Sequence, residues 1–349
     1  MKKMLALLLA LVMVLSLAAC ASSQPAATDA AASTETAETT ETTEPAAEES
    51  AEAPAESGKT YTVGVCQLVQ HEALDAATQG FVDALKEELG DAVTVDVQNA
   101  SGDSVNCGTI VNGFVSKGVD LIMANATPAL TAAVSATADI PILGTSITAY
   151  GVALDIDDFN GTVGGNVSGT SDLADLQAQA QMILDWFPET KTVGLLFCSA
   201  EPNSRYQIDE VRKALEAQGV TCEEFAFTDS NDVSSVTQKA ADFSDVVYIP
   251  TDNTAASNTE AIANVLIPAG VPAICGEEGL CRGCGVATLS ISYYDLGVTT
   301  GKMAAKILKG EADISTMPVE YTDATPKYNA SVCEQLGITP LDGYEAIDG

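Results

Sequence analysis

From residue 59 onward, short runs rich in Val, Ile and Leu alternate with longer amphipathic stretches. This is the pattern of a parallel sheet covered by helices. Strand-like runs fall at 61–66, 93–97, 119–124 and 140–144, and the series then repeats at 192–198, 220–225, 246–249, 271–275 and 286–291. Parts of the repeat are literal. Val63-Gly64 and Cys66 recur as Val193-Gly194 and Cys198, and Ile140-Pro141 recurs as Val271-Pro272. The pattern predicts an α/β protein of two similar Rossmann-like lobes with parallel sheets, in keeping with a chain of 349 residues.

In open parallel sheets, ligands collect at the carboxyl ends of strands, where helix N-termini offer free N–H groups and partial positive charge. At those ends this chain places Gln67, Asn125, Thr127, Thr145 and Ser146 in its first half. Ser199, Glu201, Asn203, Ser204, Asp252, Asn253 and Glu277 occupy the same positions in the second. Each residue taken singly is an ordinary helix cap. Such groups recur in both halves, as a binding cleft between two lobes requires. His71 has two open readings, a cap for the first helix or a pocket residue.

The N-terminus is different in kind. Lys2 and Lys3 precede a nearly unbroken apolar run over 4–19, too short for a comfortable membrane span. Its end, Leu17-Ala18-Ala19-Cys20, resembles the bacterial lipoprotein signal, which implies lipidation of Cys20 and a membrane anchor of two acyl chains. Residues 21–58 hold twelve Ala, seven Thr and nine acids but no Val, Ile, Leu, Met or aromatic residue. Nothing there can form a core, and as a coil the segment would span roughly 35 Å. It reads as a disordered tether between lipid and folded protein.

Charge narrows the function. Lys and Arg number 15 against 49 Asp and Glu, a formal net charge of -34, which excludes nucleic-acid binding. A single histidine removes Ser-His-Asp hydrolases and His-rich metal sites. The eight cysteines beyond Cys20 permit disulfides without fixing them, and Cys275, Cys281 and Cys284 lack the fourth ligand of a structural zinc site. No metal and no cofactor is expected. Gly297 to Met303 has three residues between its glycines and no Ser or Thr after Lys302, so it is an ordinary helix and not a phosphate loop.

Several segments together carry a family resemblance. They are His71-Glu72-Ala73-Leu74-Asp75, Thr127-Pro128-Ala129, the Gly164 to Asp172 run, Pro250-Thr251-Asp252-Asn253-Thr254, Gly276-Glu277-Glu278-Gly279 and Tyr293-Tyr294-Asp295-Leu296-Gly297. They run in order over almost the whole folded part and resemble the ABC-transporter substrate-binding proteins described as tryptophan- or tyrosine-binding. The chain departs from that pattern where Gln70-His71-Glu72 replaces a more usual Glu-His-Pro, and where Arg205 follows Asn203-Ser204.

The resemblance implies a type I periplasmic-binding-protein fold with a three-crossover hinge. The first lobe would comprise 59–167 plus 292–317 and the second 168–291 plus 318–349, with the helix over 293–309 returning to the first. It implies no catalysis. Instead, a monomeric lipoprotein outside the cell membrane would capture a small solute, most simply an aromatic or other apolar amino acid. The cleft would deliver it to a permease and ATPase complex. The solute carboxylate would rest on helix N-termini at Thr127, Asn203-Ser204 or Asp252-Asn253, and an acid would take the ammonium, with Asp252 and Glu277 first and Glu201 third. The fold also admits a receptor for a purine, thiamine-like compound or sugar, a ligand-sensing lipoprotein, or a carboxylate-dependent hydrolase.

Overall fold

The computed structural model describes residues 59–347. The signal, Cys20 and the tether lie outside them. Nine strands stand where the hydrophobic runs place them: β1 (Tyr61–Gln67), β2 (Val93–Asn99), β3 (Leu121–Asn125), β4 (Ile142–Ile147), then β6 (Thr192–Cys198), β7 (Thr221–Phe227), β8 (Val246–Ile249), β9 (Ala273–Cys275) and β10 (Ala287–Ser290). Four more were not foreseen: β5 (Val167–Ser171), β11 (Glu320–Tyr321), β12 (Thr325–Tyr328) and β13 (Glu345–Ala346). The helices are α1 (Glu72–Leu89), α2 (Ser104–Lys117), α3 (Thr127–Ala136), α4 (Tyr150–Ala153), α5 (Leu176–Trp186), α6 (Pro202–Glu216), α7 (Val233–Phe243), α8 (Asn253–Ala256), α9 (Thr259–Ala269), α10 (Glu278–Cys284), α11 (Tyr293–Lys309) and α12 (Ala330–Leu336).

The strands form two sheets. The first has order β11-β5-β4-β3-β1-β2 and is parallel throughout; the second has order β13-β12-β10-β9-β8-β6-β7, with only the β10–β12 pair antiparallel. Five strands in each follow the same spatial order, so the duplication heard in the sequence is a duplication of topology. The echoed glycines have a shared purpose. A Cβ on Gly64 would lie 2.6 Å from the Phe114 ring of α2, and one on Gly194 would lie 2.2 Å from Ser244 Oγ beyond α7. Each lets a neighbouring group press onto the sheet.

Helices cover both faces of each sheet. In the first lobe α1 and α11 bury Phe81, Leu85, Met303 and Leu308 against Val63, Val65 and Met123, while α2 and α3 bury Phe114 and Leu130 on the other face. The helix predicted over 293–309 therefore returns to the first lobe. Its glycines make packing contacts: a Cβ on Gly297 would fall 2.0 Å from Ala77 O, and one on Gly80 would fall 2.1 Å from Tyr294 O. In the second lobe Ile183, Trp186, Ile208 and Leu215 fill one face. Trp186 meets Tyr344 edge-on at 5.1 Å between ring centroids, so it is a core residue.

The chain passes between the sheets after β5, after β10 and after β11. Two of these passages come a few residues later than the sequence placed them, because Val167–Ser171 and Glu320–Tyr321 both belong to the first sheet. The reason is local. Val-Ser-Gly-Thr-Ser has no run of apolar side chains to announce a strand, and Gly169 (φ 143°) is packed so tightly that a Cβ would lie 2.0 Å from Gly144 O. No helix among the described residues is long and apolar enough to cross a membrane.

Candidate functional site

A narrow cavity lies where the carboxyl ends of the two sheets face one another. His71, Leu74, Ser146 and Thr148 line it from the first lobe, and Asn203, Thr251, Asp252, Asn253, Ala256 and Glu277 from the second. Asp172 and Tyr293, which sit on the passages between the lobes, form its inner end. The space between atoms there, counting what opens to solvent, is about 280 Å³, and with the lobes in contact the enclosed part is no larger than a water molecule needs. The lobes touch around it. His71 Nε2 stands 3.2 Å from Asn253 Oδ1, and Arg282 Nε donates to Glu72 Oε1 at 3.1 Å.

The local fold aims polar atoms inward. Register slips between β4 and β5 at Gly144/Ile147, and the bulge holds Ser146 at φ 55°, a conformation that costs a non-glycine residue energy and that clusters at functional sites. Ser146 Oγ is buried without a hydrogen-bond partner. Asn203, in the first turn of α6, donates Nδ2 to Glu201 Oε2 (3.2 Å), Ser204 Oγ (3.3 Å) and Thr251 O (3.2 Å). That fixes its amide, and the remaining Oδ1 is buried and unpartnered. Asp172 accepts the Tyr293 hydroxyl at Oδ2, 2.9 Å away, while its Oδ1 is buried and unpartnered. Burial pushes the Asp172 carboxyl up to about 6, against the pull of the Tyr293 hydroxyl. Buried polar atoms without partners are uncommon in native proteins, and three of them around one cavity offer a ligand three places to bond.

The two acids ranked first from the sequence stand at the same cavity with their oxygens engaged. Asp252 caps α8, taking Ala255 N at Oδ1 (2.8 Å) and Cys198 N at Oδ2 (2.6 Å). Glu277 caps α10, taking Leu280 N (2.5 Å) and Gly279 N (2.6 Å) on separate oxygens. Burial, with the charge of Glu201 nearby, pushes Asp252 up to about 8, and burial pushes Glu277 up to about 7. Glu201 lines an outer groove beside the cavity and receives five donors from Asn203, Asn253 and Thr254.

Ser146, Asn203, Asp252, Asn253 and Glu277 thus converge on the cavity. The other sequence candidates are placed around it. Gln67 braces α1 through Asp75 and Thr78, both at 2.6 Å, and Asn125 binds Leu74 O at 2.8 Å. Thr145 joins a buried hydroxyl chain to Thr170 (3.1 Å) and Thr300 (2.9 Å). Thr127 is buried at the start of α3, Ser204 is buried beside Asn203, and Ser199 is exposed with its hydroxyl on Phe227 O at 3.1 Å. Sequence reasoning missed Asp172 and Tyr293, although both stand in segments that carry the resemblance. The eight described cysteines are free thiols, seven of them buried.

The profile of the ABC transporter substrate binding protein family matches residues 62–343. The chain belongs to that family. A curated relative, the tyrosine-binding protein of Clostridioides difficile strain R20291, is 32% identical over 276 residues, 77% of this chain and 79% of the relative. Among solved structures, an ABC domain in complex with L-Trp from Streptococcus pneumonia superposes with a TM-score of 0.78 at 32% identity, over 83% of this substrate-binding protein and 100% of that chain. A ligand-free, open substrate-binding protein with adhesive properties from Clostridium difficile is 33% identical over 83% of this chain and 99% of its own, with a TM-score of 0.63. The substrate-binding protein described here, its lobes in contact across the cleft, superposes better on the liganded relative than on the open one.

Proposed function

We propose that this substrate-binding protein captures an aromatic α-amino acid in the interlobe cavity and closes over it. One observation carries the reading: Ser146 Oγ, Asp172 Oδ1 and Asn203 Oδ1, from first lobe, hinge and second lobe, are three unpartnered acceptors around one space. A primary ammonium has three N–H donors. Asp172 supplies the negative charge that a buried cation requires. A solute bonded to both lobes and the hinge favours the closed form by its difference in affinity for the two forms, and a permease can read that shape.

The aromatic part of the reading is supported by the tyrosine-binding and L-Trp-bound relatives. Energetics permit it: burying 150–250 Å² of aromatic side chain contributes roughly 4–6 kcal/mol at 25 cal/mol per Å², against about 8 kcal/mol for micromolar affinity. The protein would work outside the cytoplasmic membrane, as a monomer held by lipid on Cys20 and the acidic tether, and would hand its solute to a permease and ATPase. Thermal melting tests the ligand class. At a hundredfold excess over Kd, L-tyrosine or L-tryptophan should raise Tm by roughly 4–5 °C, and ribose or galactose should not. Asp172→Asn should abolish the shift while leaving the unliganded protein folded. Silence toward every aromatic amino acid at millimolar concentration would overturn the reading.

A further inference from the structure

An α-amino acid brings a carboxylate as well as an ammonium, and this cavity is poorly furnished for an anion. Asp172, Asp252 and Glu277 line it, and neither Lys nor Arg does. His71 is the one lining side chain able to carry positive charge. It occupies the N-cap position of α1 yet makes no side-chain cap bond to that helix, so its ring is left for another purpose.

The neighbours decide which ring nitrogen carries the proton. Asn253 donates Nδ2 to Glu201 Oε2 at 2.7 Å, which turns Asn253 Oδ1 toward His71 as an acceptor. Nε2 is therefore the donor across the 3.2 Å contact. In the neutral ring Nδ1 is then a bare lone pair, and it has no hydrogen-bond partner among the described residues. A lone pair repels a carboxylate. A proton on Nδ1 reverses this, making a second donor and a charged ring.

We propose that His71 receives the carboxylate of the captured amino acid through a protonated Nδ1, so that capture takes up a proton near neutral pH. The assignment rests on the amino-acid reading given above. The electrostatics around the ring are balanced for such uptake. Burial lowers its proton affinity, while the Asn253 bond, Glu201 of the second lobe and Asp75 of its own helix raise it, with burial the largest influence. Asp172, Asp252 and Glu277 share the cavity, and the adjacent Glu72 is paired with Arg282 across the cleft. The empty site therefore favours the neutral ring, and the charge of an arriving carboxylate tips it to the cation.

Titration calorimetry on the mature chain tests this with L-tyrosine and L-tyrosinamide, which keeps the ammonium and ring but loses the negative charge. The variants are His71→Asn and His71→Gln; Asn is a favoured N-cap residue and keeps the start of α1 intact. Both should lose roughly 10- to 100-fold in affinity for tyrosine, the range for a hydrogen bond to a charged group, and less than about threefold for the amide. At pH 7.5, buffers of different ionisation enthalpy should show about one proton more taken up by wild type than by either variant. Equal losses for acid and amide, or the same proton count in all three proteins, would overturn the role of His71 alone. A wild type that binds no aromatic amino acid would overturn the amino-acid reading and this assignment with it.

Discussion

Tyr293 donates its hydroxyl to Asp172 Oδ2 across 2.9 Å, and both residues are buried. Asp172 follows β5 on the first passage between lobes, and Tyr293 opens α11 just after the second. One hydrogen bond thus joins two limbs of the hinge and orients the acid whose free oxygen faces the cavity. Tyr293→Phe would leave Oδ2 without that donor and move the Asp172 carboxyl further above its ordinary range. Capture of an aromatic amino acid should weaken about tenfold at pH 7. The penalty should grow as pH falls from 8 to 6, because more of the acid is then neutral. Dissociation constants measured across that range check both statements.

Acidification should stabilise the unliganded protein through much of the neutral range. Asp172, Glu277 and Asp252 are pushed up to about 6, 7 and 8 in the folded state, whereas unfolded carboxyls titrate near 4. Between those limits the folded state binds more protons than the unfolded one, so stability falls as pH rises. His71 acts oppositely below about 6.5, since burial lowers its proton affinity in the folded state. Tm should therefore climb by a few degrees from pH 8.5 to pH 6.5 and keep climbing toward pH 5, where the three carboxyls together outweigh His71, until the unfolded carboxyls begin to take up protons. A Tm that drops steadily from pH 8.5 to 6.5 would contradict this account.

The α1–α11 contact leaves no room for a methyl group. Gly297→Ala would set a Cβ 2.0 Å from Ala77 O, so the helices must part. Overpacking of this kind costs about 1–3 kcal/mol, read as a fall in Tm. Because His71 stands at the N-terminal end of α1 and Tyr293 begins α11, affinity should fall as well, by a factor beyond the loss at an overpacked site such as Gly64→Ala.

Arg282 holds the outer edge of the closed cleft, reaching Glu72 in the other lobe while also binding Glu278 at 2.9 Å. Both lobes are acidic, and this is the ion pair between them among the described residues. Arg282→Ala should weaken capture of every solute by the same factor, about two- to fivefold, as expected of a partly exposed pair. The difference should shrink in 1 M salt, where the Debye length is about 3 Å. Titrations at low and high salt separate this from a direct contact, whose loss would differ between solutes.

The fold was legible because parallel strands buried on both faces are written as apolar runs, and because the chain repeats itself. β5 was not, since Ser168, Gly169 and Thr170 pack through hydrogen bonds and absent side chains, not hydrophobicity. The rule that ligands sit beyond strand ends pointed to Ser146, Asn203 and Glu277, which line the cavity. It could not tell a cavity acid from a capping acid, as the engaged oxygens of Asp252 and Glu277 illustrate. Asp172 and Tyr293 escaped because they lie on crossovers, and only the assembled lobes bring residues 121 positions apart into one hydrogen bond.

The first sheet takes its sixth strand, Glu320–Tyr321, and one of its covering helices, Tyr293–Lys309, from the far end of the chain. The first lobe therefore cannot seal its interior until the chain has been made through Tyr321. An amino-terminal fragment ending before Tyr293 would lack both a covering helix and an edge strand, and it would have to find the remainder of the chain before its interior is sound.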